Sequence, residues 1–324
     1  MANARTGRVV RTDAKVCLVD IGGRTVQAAP RGKLFEDLGS RRNPVAVGDQ
    51  VRLDLEGDPA SIEEVLPRRN YLGRLASTHD PREQILVANV DRLFVVGSIA
   101  NPGFSSNRTD RILAACVWHD IPPALVLNKI DLAEPEAIEA VRATYEGAGF
   151  PVFATSAVRG DGVEALRDEL RGRLSAFSGA SGVGKSSLLN ALQPGLKLKV
   201  GGISRFWETG RHTTNAAQLH ALDFGGWAID TPGIRVFRLH GVTRAELRGL
   251  FPEFARFQEG CRYADCTHTH EPECEVVLAL ERGEIAATRY ASYAEMLEEV
   301  SPAAKEEDAP ESDGEEEAGE SGEA

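Results

Sequence analysis

The rhythm of apolar residues changes near residue 85, and that change divides the chain. Before it, short alternating runs dominate: Gly7–Thr12, Lys15–Asp20, Gly23–Ala29, Ala46–Asp54 and Ser61–Leu66. A period of two predicts half-buried strands, and Gly22-Gly23 and Val47-Gly48-Asp49 mark turns. Five strands with a long third connection, Arg31–Val45, suit an OB-fold barrel, although the strand count alone suits an SH3-like barrel as well. After residue 85, apolar runs alternate with helical patterns. Strands are predicted at Leu93–Val96, Ala124–Leu127 and Val152–Ala154, and helices at Asp110–His119, Glu134–Glu146 and Val163–Leu174. This βα alternation predicts a mostly parallel sheet with helices on both faces, continuing to about residue 240. Helical stretches follow, and no internal repeat is present. The expected class is multidomain α/β.

Composition changes this picture at the two ends. The net charge is −12 over 324 residues, but residues 301–324 hold ten acidic residues and one lysine, net −9, leaving −3 for the rest. That tail, rich in Glu, Gly, Ser and Pro, cannot bury a core and is expected to be disordered. Residues 1–75 carry thirteen basic and ten acidic residues, and Arg31, Lys33, Arg41 and Arg42 cluster in the barrel's long connection. The excess suggests phosphate contacts with RNA. No stretch approaches the ~18 apolar residues of a membrane span. Met1–Arg11 lacks the apolar region of a signal peptide, so a cytoplasmic location is expected, with no membrane partner. Cys17 and Cys116 fall in apolar patterns and read as core thiols.

The chemistry is concentrated in six motifs. Gly179-Ala180-Ser181-Gly182-Val183-Gly184-Lys185-Ser186, followed by Ser187, fits the phosphate-binding loop G-x-x-x-x-G-K-[ST]. Its backbone N–H groups can cradle phosphates, and the helix Lys185–Leu192 adds its positive end. Lys185 would reach the β- and γ-phosphates, and the Ser186 hydroxyl would ligate Mg²⁺. Asn128-Lys129-Ile130-Asp131, after a predicted strand, specifies guanine. The Asp131 carboxylate can accept from the ring N–H and exocyclic amine, for which adenine has no matching pair. Asn128 can donate to the ring nitrogen, and the Lys129 stem can cover the base. Thr155-Ser156-Ala157 can offer a backbone N–H to the guanine oxygen. Asp230-Thr231-Pro232-Gly233 fits the D-x-x-G element, with Asp230 toward Mg²⁺ and the Gly233 N–H toward the γ-phosphate. Upstream, either Thr213 or Thr214 supplies a switch hydroxyl for Mg²⁺. Ile234 stands where a water-orienting glutamine is usual, which leaves His212 or a partner to complete catalysis.

These guanine motifs precede the phosphate loop, so the set is complete but cyclically rotated. The last motif is Cys261-x₄-Cys266-x-His268-x₅-Cys274. Three thiolates and an imidazole suit one tetrahedral structural zinc per chain, with His270 as the alternative nitrogen.

Together these residues resemble the RsgA (YjeQ) family, the small-ribosomal-subunit-dependent GTPases of bacteria. The likeness spans roughly residues 7–300. It rests on the permuted order and on Arg31-Gly32-Lys33-Leu34, Val47-Gly48-Asp49, Leu66-Pro67-Arg68, Ala88-Asn89-Val90-Asp91, the phosphate loop, Gly210–Thr214, Asp230–Gly233 and the Cys/His cluster. Asn215 departs from it, standing where the family tends to have a third threonine, and residues 172–178 read as short. The resemblance implies an OB-fold RNA-binding domain (1–73), a circularly permuted P-loop GTPase domain (74–240), a zinc-binding helical domain (241–300) and the acidic tail (301–324). It implies GTP hydrolysis in late maturation of the small ribosomal subunit, stimulated by the subunit and its rRNA, in a monomeric protein. The competing reading is a GTP-gated RNA-binding adaptor with negligible hydrolysis.

Overall fold

The computed structural model describes residues 4–198, 217–231 and 239–300, apart from 14, 37, 78, 79 and 240. The first five strands are β1 (Ala4–Thr12), β2 (Cys17–Asp20), β3 (Thr25–Pro30), β4 (Gln50–Asp54) and β5 (Ala60–Val65), with the short helix α1 (Lys33–Glu36) between β3 and β4. They pair in the order β1-β2-β3-β5-β4, and β4 returns to β1. The β3–β5 pair is parallel, and the others are antiparallel. This closed five-stranded barrel is the OB-type arrangement, which decides between the two candidates left by strand count. Its interior is filled by alternate residues of the strands, including Val9, Val19, Leu53 and Ile62.

A hairpin follows that the sequence did not reveal: β6 (Tyr71–Ser77) and β7 (Asp80–Ala88). Barrel and hairpin are joined by a buried ion pair. Arg68 donates from Nε and Nη2 to the Asp49 carboxylate at 2.7 and 2.8 Å, and Asp49 also accepts from the Ala46 N–H at 2.8 Å. The Val47-Gly48-Asp49 and Leu66-Pro67-Arg68 motifs therefore do structural work at this junction. Loss of either partner would strand a buried charge.

The α/β unit runs β8 (Arg92–Ser98), α2 (Ser106–Trp118), β9 (Pro123–Asn128), α3 (Pro135–Gly147), β10 (Val152–Thr155), α4 (Val163–Leu170), β11 (Leu174–Ser178), α5 (Lys185–Leu192), β12 (Gln218–Ala221) and β13 (Trp227–Asp230). The spatial order is β10-β9-β8-β11-β13-β12, parallel except for β12. Because both faces are covered, the strands are continuously apolar: Leu93 and Val95 face one core, Phe94 and Val96 the other. The expected helix Val163–Leu174 is too long. Its apolar period ends at Leu170, the chain turns at Gly172 (φ +72°), and Leu174 opens the buried strand β11. The segment that reads as short before the phosphate loop is thus a full central strand. Cys17 and Cys116 are buried as expected, and burial pushes the Cys17 thiol up to about 12.

Beyond residue 240 lie α6 (Arg244–Leu247), α7 (Ala255–Gln258), α8 (Glu275–Glu281) and α9 (Ala287–Glu299). Thr243 and Glu246 form a capping box at the start of α6. Helix α9 packs on α2 through Arg289, which is 1% exposed and donates to Asp110 at 2.7 Å and to Glu253 at 2.7 and 3.1 Å. Arg111 adds a two-pronged pair with Glu299, both bonds 2.7 Å. No helix among the described residues is long and apolar enough to cross a membrane.

Candidate functional site

The sheet order brings separated motifs to one edge. Strands β8, β9, β10, β11 and β13 are parallel, so their carboxyl ends align, and ligands of open α/β sheets bind there. Asn128 ends β9, Thr155 ends β10, Asp230 ends β13, and the phosphate loop follows β11 directly. Gly184 (φ +98°) enters α5 in a conformation that disfavours a side chain, and a Cβ there would lie 2.4 Å from the Asn128 Nδ2.

Asn128 is the centre of the arrangement. Its carboxamide is 1% exposed. Nδ2 donates to the Val183 carbonyl in the phosphate loop at 3.0 Å. Oδ1 accepts from Thr155 Oγ1 at 3.2 Å and the Ala157 N–H at 3.3 Å. One side chain thus ties three sequence motifs together. Lys129 adopts left-handed backbone (φ +63°), and its Nζ donates to the Gly182 carbonyl at 2.7 Å and to the Asn101 carbonyl. Asp131 accepts a 2.6 Å bond from Ser156 Oγ, which fixes one carboxylate oxygen.

At the phosphate end, Lys185 is buried, and its Nζ donates to the Gly179 and Ala180 carbonyls at 2.9 and 3.2 Å. The loop therefore folds around its own lysine. Burial holds the Lys185 ammonium below its ordinary value, with Asp230 opposing. Ser186 Oγ lies 3.5 Å from Asp230 Oδ2. Burial pushes the Asp230 carboxyl up, against Lys185, His220 and Ser186. The buried Asp230 Oδ1 has no hydrogen-bond partner among the described residues. An orphaned carboxylate oxygen beside a serine hydroxyl fits a cation with oxygen ligands. Ser181 is exposed at the loop's tip, and Ser187 is half-buried in the first turn of α5. His212, Thr213, Thr214, Gly233 and Ile234 lie outside the described residues, as does the tail 301–324.

A second cluster stands in the C-terminal unit. Cys261, Cys266, His268 and Cys274 place one ligand atom each within 4.8 Å of the others. The Cys261 and Cys274 sulfurs are 3.9 Å apart, and each is 3.5 Å from His268 Nδ1. A tetrahedral zinc with ordinary bond lengths requires edges of about 3.8 Å (S···S) and about 3.6 Å (S···N). The donor set and its spacing therefore fit that metal. His270 is exposed and bonded to Thr269 instead, so the geometry selects His268. The sequence did not single out the supports. The Glu271 carboxylate accepts from the Thr267 and Thr269 N–H groups at 2.6 and 3.1 Å, and Tyr290 Oη donates to the His268 carbonyl at 2.7 Å. Glu271, three residues beyond the histidine, was visible only as a charge.

The basic connection of the barrel is less free than its composition suggests. Arg31 and Lys33 both pair with Glu63, at 2.5 and 3.6 Å, and Arg42 lies 3.8 Å from Asp80. Arg41 makes no ion pair with a described residue.

Comparisons with known proteins agree with this geometry. A family model described as RsgA GTPase matches residues 65–240. The protein named small ribosomal subunit biogenesis GTPase RsgA from Gemmatimonas aurantiaca is 40% identical over 304 residues, covering 93% of this chain and 99% of that one. Its namesake from Porphyromonas gingivalis is 42% identical over 268 residues, covering 79% and 84%. The crystal structure of YjeQ from Thermotoga maritima has a TM-score of 0.72 at 35% identity, covering 92% of this chain and 98% of that one. The circularly permuted GTPase YloQ gives 0.68 at 27% identity, covering 92% and 96%.

Proposed function

The chain belongs to the RsgA GTPase family of small-ribosomal-subunit biogenesis, and from that premise we propose how its own residues bind and hydrolyse GTP. Asp131 reads guanine's two donors with the carboxylate that Ser156 orients, and the Ala157 N–H region receives the guanine oxygen. Lys129 covers the base with its stem. Gly179–Ser187 wraps the phosphates, and Lys185 exchanges its loop carbonyls for phosphate oxygens. Ser186 and Asp230 would hold Mg²⁺, with Thr213 or Thr214 completing the set. When bound, that ion neutralises developing phosphate charge. Water attacks the γ-phosphorus, the bond to the β,γ-bridging oxygen breaks, and GDP and phosphate leave. Ile234 cannot orient the water, so His212 or a group of the partner does so.

Residues 74–240 carry this chemistry. Residues 1–73 supply an rRNA-binding barrel, 241–300 a structural domain whose Cys261, Cys266, His268 and Cys274 would hold Zn²⁺ with no open position, and 301–324 an acidic tail. The protein acts as a cytoplasmic monomer on the small subunit and its rRNA. The observation that carries the reading is the three-way bonding of Asn128, which joins guanine-side and phosphate-side motifs in one site. The test is steady-state turnover of GTP and ATP, each with and without purified small subunits. The expected result is slow GTP hydrolysis accelerated by subunits. Equal turnover of ATP, or no response to subunits, would count against it.

A further inference from the structure

A large cavity lies away from the nucleotide motifs, in the angle between the barrel and the end of α2. It measures about 820 Å³, within the ~300–1,000 Å³ range of small-ligand sites. Its walls combine two chemistries. Tyr71 and Trp118 supply aromatic surface, backed by the His119 ring, which packs on Tyr71 with centroids 4.4 Å apart and is 8% exposed at its side chain. Arg41, Arg52 and Arg69 supply guanidinium groups around the mouth. Of the acidic residues that share the wall, Glu63 is engaged by Arg31 and Lys33 and Glu64 by Arg52 at 3.2 Å, while Asp120 adds an exposed carboxylate. Arg41 is left with no ion pair to a described residue, close enough to Tyr71 to act on its hydroxyl electrostatically. Arg69, 59% exposed at its side chain, is held in place by Asp91 at 2.7 Å.

We propose that this cleft binds an unpaired nucleotide of single-stranded RNA, its base stacked against the wall formed by Tyr71 and Trp118 and its phosphate held by Arg41. A stacking surface beside exposed arginines is how proteins hold unstacked bases, whereas a duplex offers no base faces. The proposal rests on the subunit-RNA reading above and gives it a specific contact. The cleft also involves both flanking units, because Trp118 packs against the core of the C-terminal domain. A base seated there touches barrel, hairpin and the helix on which that domain rests.

The test uses the full chain and a fluorescein-labelled single-stranded RNA of about ten nucleotides, with the matching duplex as comparison. Trp118→Leu and Arg41→Ala are measured alongside, with melting temperature reporting that each is folded. The expected result is preference for the single strand and a loss of about fivefold or more in each folded variant. Arg41→Ala carries the test if Trp118→Leu does not fold. Unchanged single-strand affinity, or equal binding of the duplex, overturns the proposal. Pelleting with small subunits separates the two readings. Wild-type chain that binds subunits but not the single strand refutes the cleft alone, whereas failure to bind subunits refutes the reading beneath it. Crosslinks from the Trp118 neighbourhood to residues 301–324 that RNA does not displace would assign the cleft to the acidic tail and overturn the proposal.

Discussion

Asn128→Ala removes three hydrogen bonds from the interior at once, and its cost can be worked from the geometry. The carboxamide is 1% exposed and serves Val183, Thr155 and Ala157. Each neutral bond contributes about 0.5–1.5 kcal/mol net, so the sum is about 2–4 kcal/mol. The two longer bonds, at 3.2 and 3.3 Å, favour the lower half of that range. Water entering the vacated space would re-satisfy the Thr155 hydroxyl more easily than the Val183 carbonyl, because Thr155 can rotate. In a chain of this size each kcal/mol shifts Tm by about 2–4 °C, so nucleotide-free variant should melt about 5–10 °C below wild type. The same change releases the phosphate loop from the guanine-side motifs. Affinity for GDP should therefore fall further than loss of one base contact would explain, by more than about tenfold. Differential scanning fluorimetry without nucleotide, followed by fluorescence titration with labelled GDP, measures both. A melting temperature within about 1 °C of wild type would refute the claim that this side chain knits the site together.

Asp131→Asn should weaken GTP binding strongly, because an amide matches only one of guanine's two donors; titration against GTP and xanthosine triphosphate is the measurement, and unchanged GTP affinity contradicts the assignment. The Asp230 carboxyl, raised by burial, stabilises the ligand-free fold at low pH, fully below an ordinary aspartate's value and no longer once pH rises through the raised one. Binding of Mg²⁺ needs the carboxylate, so magnesium-dependent GTP affinity should decline with acidification earlier than an unperturbed aspartate would allow, and Asp230→Asn should flatten that profile. Metal analysis should return one zinc per chain, and Cys266→Ser should lower occupancy and Tm together; a metal-free, fully folded chain is the contrary result. His212→Ala should reduce turnover at saturating subunit while leaving subunit binding intact; the reverse pattern would make His212 a contact residue.

Legibility followed the locality of the signal. The phosphate loop, the guanine motif and the Cys/His cluster were readable because each needs particular residues at fixed spacing over about fifteen positions or fewer. The strand and helix alternation was readable because period is a local property. Non-local features were not. The β6–β7 hairpin has register shifts near Gly73 and Leu75 that break its alternation, so no clean period of two survived. The end of α4 was overrun because Leu174 continues an apolar period while belonging to the next strand. The pairing within the barrel's basic connection was not legible either. Composition counted Arg31, Lys33 and Arg42 as available, but their carboxylate partners, Glu63 and Asp80, lie thirty or more residues away in sequence. Arg68 likewise reads as a surface cation until its buried bonds to Asp49 are seen.

The rotated motif order gains its meaning from what lies on either side of the sheet. Strand β12 pairs with β13, which carries Asp230, and β12 also meets the barrel through Arg11 and Gln218 of β1 and β12. On the far side, β8 leads through Asn101, whose carbonyl Lys129 holds, into α2, and α2 is clamped to the C-terminal unit by Asp110–Arg289–Glu253. Both flanking units are thus attached beside the nucleotide: the barrel to the sheet by a strand pair and to the hairpin by Asp49–Arg68, the C-terminal unit to α2 by a buried charge cluster. The attachments differ in how they respond to force. The β1–β12 pairing can shift register or open at modest cost, whereas breaking either buried ion pair, Asp49–Arg68 or the Arg289 cluster, leaves uncompensated charge at about 3–5 kcal/mol. Movement triggered by GTP or by the subunit should therefore appear as rotation of the barrel together with its hairpin relative to the sheet, with the C-terminal unit moving as one body with α2. Spin labels on α2 and α9 should keep their separation between GDP-bound and GTP-bound states, while labels on β2 and α3 should not. A changed α2–α9 distance would place the hinge at the buried cluster and reverse this assignment.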